Sequence, residues 1–107
     1  MIVTTSFQIE GKEISEYMGM VRGITVRMPK VKQSFKGAMH ALKNLGGDIP
    51  QFAEVCEQGR EAAYNKMVDS AKSMGADAII GVQYDSSPFQ SDAIEILCYG
   101  TAVKLKS

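Results

Sequence analysis

The segment from Arg60 to Tyr84 constrains the fold more strongly than any other part of the chain. Its first half carries apolar residues at the three- and four-residue spacing of one helical side: Ala63, Met67, Ala71 and Met74. The same stripe continues upstream through Phe52, Cys56 and Gly59. Gly75 tolerates the positive φ that a helix end often needs, so it is the predicted stop of a long helix.

A buried strand is predicted directly after this helix. The run from Ala78 to Val82 is continuously apolar and too short for a helix, which is typical of a strand covered on both faces. Turn residues from Asp85 to Pro88 predict the end of that strand. A loop from Ser86 to Asp92 then leads to a last strand from Ala93 to Leu105.

The first quarter of the chain predicts two more strands, from Ile2 to Ser6 and from about Ile14 to Met28. Alternation in the second strand puts most of its apolar side chains on one face: Met18, Met20, Ile24, Val26 and Met28. Gly19 and Gly23 share the opposite face. Because glycine weakens a strand, we expect a helix, a bulge or a neighbouring subunit to come close there.

A shorter helix is predicted between these two halves, from about Gln33 to Leu45. Its apolar residues follow the helical period, and Gly46-Gly47 ends it. Pro50 is well placed in the first turn of the long helix. The predicted order is ββααββ, an α+β domain with an antiparallel-rich sheet and both helices on one face. Since two helices cover only one face, the other predicts self-association into a homo-oligomer.

Composition narrows the class of protein. A chain of 107 residues predicts one domain over residues 1–107. A formal net charge of zero argues against a general nucleic-acid or membrane-surface role. No apolar stretch reaches the roughly 20 residues that span a bilayer, and no signal peptide is visible. Two isolated cysteines favour reduced thiols in the cytoplasm, with a disulfide as the alternative.

Several blocks of the sequence occur in an order that resembles a known family. They are Glu16-Tyr17-x-Gly19-x-Val21-x-Gly23, Gly46-Gly47, the block from Gly75 to Val82, and Gly100-Thr101-Ala102-Val103. Together they resemble the YbjQ family, also called the "putative heavy-metal-binding domain" family, over nearly the whole chain. The resemblance implies a dodecin-like subunit in a ring, a homopentamer or a stacked pair of pentamers. It implies metal binding but no ligand residues.

The soft metal ligands that the chain offers are Cys98, Cys56, His40 and the methionines. A structural zinc site uses ligands at short spacing, such as C-x-x-C, and the sequence has none. Symmetry in an oligomer can instead bring one cysteine per chain to a shared axis. The alternative is that both cysteines are core thiols, which is the commoner case. His40 lies off the apolar stripe of its helix, which is typical of a solvated residue.

A basic segment contains no acidic residue between Glu16 and Asp48. Its members are Arg22, Arg27, Lys30, Lys32, Lys36 and Lys43. They indicate either a patch that docks an acidic partner or a solvated, charged face, which is the commoner use of such runs. Without interleaved aromatic residues, nucleic acid is not the expected partner.

Catalysis is not expected, because the sequence shows no activated nucleophile, no phosphate-binding glycine loop and no paired histidine and carboxylate. The leading hypothesis is a homo-oligomeric binding protein that holds a soft or heavy metal ion at subunit interfaces. The alternatives are an interaction module that docks an acidic partner, and a ring that carries a small molecule or oxyanion.

Overall fold

The computed structural model describes residues 1–28, 50–90 and 93–107. Over these residues the chain is α+β, as predicted, with a single long helix against a four-stranded sheet. The elements are β1 (Ile2–Val3), β2 (Ile14–Arg27), α1 (Pro50–Ser73), β3 (Ala78–Gln90) and β4 (Ala93–Leu105). The predicted helix from Gln33 to Leu45 lies outside the described residues. No helix among the described ones is both long and apolar enough to cross a membrane.

The sheet is mixed, with the strand order β1-β3-β4-β2. β1 runs parallel to β3, whereas β4 pairs antiparallel with both β3 and β2. The chain continues beside β3 after β1 ends, since Gly81 N donates to Ser6 O at 2.9 Å and Val82 N donates to Thr4 O at 3.1 Å. β4 therefore lies in the middle of the sheet, where it is flanked on both sides.

The end of the long helix follows the prediction for Gly75. This glycine has a φ of 80°, and its N–H donates to Lys72 O at 3.0 Å. Ala76 N donates to Ala71 O at 3.1 Å, so the two bonds form a Schellman motif that satisfies the last helical carbonyls. Asp77 then fixes the turn to β3, because its Oδ2 accepts from Leu105 N at 2.9 Å.

Two predictions in this half of the chain were wrong. β3 does not stop at the turn residues; it runs through Asp85 and Pro88 to Gln90, because pairing with β4 continues over that stretch. Pro88 is tolerated since this part of β3 has no partner strand on its other side among the described residues. Met74 is 40% exposed, because it follows the last helical residue and lies in the turn.

The helix packs closely on β2, and Gly23 makes this possible. A Cβ at Gly23 would collide with the carbonyl oxygen of Ala63 and lie 2.7 Å from Met67 N. The predicted close approach at this glycine is thus the helix itself. The main core lies between α1 and the sheet, and its buried residues include Val21, Ala63, Met67, Ala71, Ile79, Ile96, Cys98 and Ala102.

A β-bulge at Gly19 changes the predicted faces of β2. Gly19 has a φ of 113°, and the pairing register with β4 shifts between Tyr17 and Gly19. The prediction that Met18 and Met20 share a face was therefore wrong. Met18 packs against the core, whereas Met20 is 68% exposed on the face away from α1.

We call this outer surface the open face and define it by exposed Met20, Ile24 and Val26 of β2, with Met28 just beyond the strand. Among the described residues, a second cluster covers one end of the outer side of the sheet. There Ala78, Ile80 and Val103 are buried under Ile9 and Ile14 and beside Leu105. The predicted burial of the Ala78–Val82 run on both faces is confirmed, because Ile79 and Ile80 belong to clusters on opposite sides.

Candidate functional site

The chain places Cys98 at the centre of the sheet, on β4, with its side chain on the side that α1 covers. Across the strands it pairs with Gly23 of β2 and with Tyr84 of β3. Because Gly23 has no side chain, the helix comes down onto β2 and brings Met67 over Cys98. The site thus contains one residue from each of four elements: Gly23 of β2, Met67 of α1, Tyr84 of β3 and Cys98 of β4.

The thiol and the thioether are direct neighbours. Cys98 Sγ donates a hydrogen bond to Met67 Sδ at 3.6 Å, and both residues are fully buried. Met67 is a residue of the predicted helical stripe and one of the methionines counted among the soft ligands. Nothing in the sequence pairs it with Cys98, since the two residues are 31 positions apart and lie on different elements.

Tyr84 completes the cluster. It is the partner of Cys98 across β3 and β4, on the same face of the sheet, and it is 46% exposed at the surface. Burial raises the pKa of the Cys98 thiol, and the neighbouring Tyr84 hydroxyl opposes that rise. Burial also raises the pKa of Tyr84, as does the neighbouring Cys98. At neutral pH both groups are therefore protonated, and Cys98 donates its hydrogen bond to Met67.

The donor set suits a soft ion. Thiolate and thioether ligands select ions such as Cu(I). Two sulfurs bound to one ion at about 2.3 Å each can lie up to about 4.6 Å apart, and the observed separation of 3.6 Å falls within that limit. A four-ligand zinc centre is a poorer fit, since the described part of the chain holds no cluster of three histidine, cysteine or carboxylate side chains.

The other predicted ligands do not join this cluster. Cys56 is half-buried on α1, eleven residues before Met67, which corresponds to roughly 16 Å along a helix axis. Both cysteines are free, so the disulfide alternative is wrong for this structure. His40 lies outside the described residues. Of the sequence-predicted soft ligands that the structure describes, Cys98 and one of the methionines, Met67, lie side by side.

The basic segment is described only in part. Arg22 is exposed on the outer side of β2, whereas Arg27 is half-buried on the side of α1, where its Cγ lies close to Gly59. These two side chains therefore belong to opposite faces of the sheet. Lys30, Lys32, Lys36 and Lys43 lie outside the described residues. The described members alone do not form one surface.

Comparisons with known proteins agree on the family. A family model described as "Putative heavy-metal-binding" matches residues 1–106. A UPF0145 protein of Chromobacterium violaceum is 42% identical over 98% of this chain and 88% of its own. A UPF0145 protein of Legionella pneumophila is 41% identical over 96% of both chains.

A solved structure supports the fold. The crystal structure of a protein of unknown function from Pediococcus pentosaceus covers 99% of this chain and 98% of its own, with a TM-score of 0.62. Its sequence identity is 16%, so it speaks only for the architecture. The match of the family model over almost every residue, together with relatives near 40% identity, shows that the chain belongs to the YbjQ family, whose members compared above are UPF0145 proteins.

Proposed function

We propose that this protein is a non-catalytic binding protein that holds one soft metal ion, such as Cu(I), between Cys98 and Met67. The observation that carries the proposal is the 3.6 Å contact of two fully buried sulfurs. The description of the matching family as heavy-metal-binding supports it. We put the ion inside one subunit, in place of the interface expected from the sequence, because both ligands are buried within a single chain.

Each residue of the cluster has a distinct task in this proposal. Cys98 supplies the charged ligand after it loses its proton, because a metal ion binds the thiolate. Met67 supplies a neutral soft donor. Tyr84, the cross-strand neighbour of Cys98, lowers the pKa of the thiol against the effect of burial and so favours the thiolate. The surrounding core residues exclude water, which would otherwise compete for the ion.

The test is an equilibrium titration with Cu(I) under reducing conditions, against a competing chelator of known affinity. We expect one ion per chain in the wild type and loss of that ion in Cys98→Ser. Met67→Leu should weaken binding by at least the roughly 10- to 100-fold that loss of an outer-shell partner causes. Cys56→Ser is the matched control and should bind like the wild type.

The opposite result would be unchanged stoichiometry in Cys98→Ser, which would remove Cys98 from the site. Circular dichroism of each variant is needed beside the titration, since Cys98 and Met67 are also core residues. A folded variant that has lost the ion supports the proposal. A folded wild type that binds no ion at micromolar concentration contradicts it.

We also propose that the subunit self-associates, because the open face exposes Met20, Ile24 and Val26 together. A partner copy would remove this apolar surface from water. β2 lies at one edge of the sheet, and at the other edge β3 extends beyond the residues paired with β1. When two different edges or faces of identical subunits meet head to tail, the subunits form a ring if the rotation between them closes. A dodecin-like ring of five or ten copies is the assembly we propose.

A further inference from the structure

A shallow groove between α1 and β3 runs next to the sulfur pair. Its volume is about 680 Å³. The helical side presents Glu54, Glu57, Glu61 and Tyr64, and the sheet side presents Tyr84. Arg60 forms an ion pair with Glu57 at 3.3 Å. The groove is thus polar and acidic towards solvent and aromatic towards its floor.

Tyr84 belongs to both the groove and the buried cluster. It lines the groove and is 46% exposed, while its neighbour Cys98 is fully buried. The two residues are also direct partners across β3 and β4, so their side chains stand next to each other on one face. Among the described residues, Tyr84 therefore links the groove to the buried thiol.

Two other described neighbours of Cys98 are covered by the helix. On β2 its partner is Gly23, over which the backbone of α1 lies in close contact. Above it is Met67, which is fully buried. An access route past either of these would require the helix to leave the sheet, whereas a route past Tyr84 requires only a change of one rotamer.

We propose that the ring of Tyr84 controls access to Cys98 and Met67, and that the groove it lines is the path by which a soft cation reaches them. The identity of the cation rests on the proposed soft-metal function. Control of access to the Cys98 thiol does not, and it can be measured without a metal. Rotation of the ring about its side-chain torsions opens the path, and the acidic residues of the groove favour a cation over an anion.

The test measures how fast Cys98 reacts with a neutral thiol reagent at constant pH, in a Cys56→Ser background that leaves one thiol. We expect Tyr84→Ala to react several-fold faster than the parent, because the ring is gone. Tyr84→Phe keeps the ring and should react at nearly the parental rate. Tyr17→Ala is the control, since it removes a tyrosine that is 68% exposed and lies outside the groove, and it should leave the rate unchanged.

Global unfolding is separated by measuring the unfolding free energy of every variant. The faster reaction of Tyr84→Ala must exceed the rate expected from its unfolded fraction alone. Equal rates in Tyr84→Ala and the parent would overturn the proposal, and so would a Tyr84→Phe rate as fast as that of Tyr84→Ala.

The rate of Cu(I) uptake by the same variants follows as a second measurement. If the wild type binds no ion while the labelling rates behave as expected, the metal function fails and Tyr84 still controls access to the thiol. If the ion binds but its uptake rate is the same in Tyr84→Ala and the parent, the access path is wrong and the metal function stands.

Discussion

The two faces of β2 contrast in a way that hydrophobicity does not explain. On the face towards α1, Gly23 is buried and Thr25 is only 8% exposed. On the open face, Met20 is 68% exposed, and Ile24 and Val26 are exposed as well. The more apolar face of the strand is therefore the one in contact with solvent in the single chain.

This difference shows that space, rather than apolar character, decides which face of β2 the helix covers. A helix backbone comes close only where the strand has no side chain in its way, and Gly23 provides that place. Burial of Met20, Ile24 and Val26 would be worth more free energy per residue than burial of Gly23. We therefore attribute the open face to an interaction between subunits, as proposed above.

The largest expected effect is on the covered face. Gly23→Ala should lower the unfolding free energy by more than about 3 kcal/mol, above the usual range for overpacking, because the new Cβ meets helix backbone rather than a flexible side chain. Gly19→Ala is the matched control. It meets no atom within 4 Å but keeps a strained positive φ, and should cost only about 1–2 kcal/mol.

Chemical denaturation of the two variants measures this difference. Equal losses at Gly19 and Gly23 would show that backbone strain matters as much as helix contact. The contrast between the faces would then need another explanation than the space left by Gly23.

An intermediate effect is expected on the open face. Ile24→Lys should dissociate the oligomer, because a charge in an apolar contact is costly unless it is paired. The unfolding free energy of the monomer should change by no more than about 0.5 kcal/mol, as for other surface substitutions. Asn65→Lys, on the exposed side of α1, is the control and should leave the assembly intact.

Sedimentation velocity distinguishes these variants at micromolar concentration. A wild type that sediments as a folded monomer would contradict the proposal that the open face is a contact between subunits. If the Ile24→Lys variant still forms the oligomer, the subunit contact would instead be assigned to the strand edges.

The smallest expected effect is a pH dependence of ion binding at Cys98, which lies on the side of the sheet that α1 covers. Burial raises the pKa of Cys98 above its usual value of 9.0, so the thiol is neutral at pH 6 to 8 and must release its proton when an ion binds. The Kd for Cu(I) should therefore fall about tenfold per unit as the pH rises through this range. Chelator-competition titrations at fixed ionic strength measure it, with proton release recorded in the same experiment.

A Kd that does not change between pH 6 and 8 would contradict this sign. Either Cys98 is already a thiolate in the free protein, or it does not bind the ion. Ile24→Lys lies on the other face of the sheet and should leave the pH dependence as it is, once the change in assembly is taken into account.

Local patterns predicted much of the α+β fold. The apolar run from Ala78 to Val82 and the strand from Ala93 to Leu105 are as expected, and Gly75 ends the long helix. The failures arise where distant pairing overrides local preference. Pairing with β4 carries β3 through the predicted turn, and the bulge at Gly19 separates Met18 from Met20.

The candidate site was predictable only in part. Cys98 was a predicted soft ligand, since its residue type and strand position can be read directly from the sequence. Met67 and Tyr84 were not assigned to it. The two described members of the basic segment, Arg22 and Arg27, lie on opposite faces of the sheet and do not form the single patch that the sequence suggested. Periodicity tells which residues share a side of one element, but not which sides of two elements meet.

The sequence by itself determined that the stretches from Ala78 to Val82 and from Ala93 to Leu105 are strands, and where the long helix ends. These properties depend on backbone preferences and on the period of side chains within one element. Only the tertiary structure decided that α1 lies over Gly23, and hence that Met67 meets Cys98 while Met20 faces solvent. The physical reason is that close packing of two elements depends on the space between them, and that space is set jointly by residues far apart in the chain.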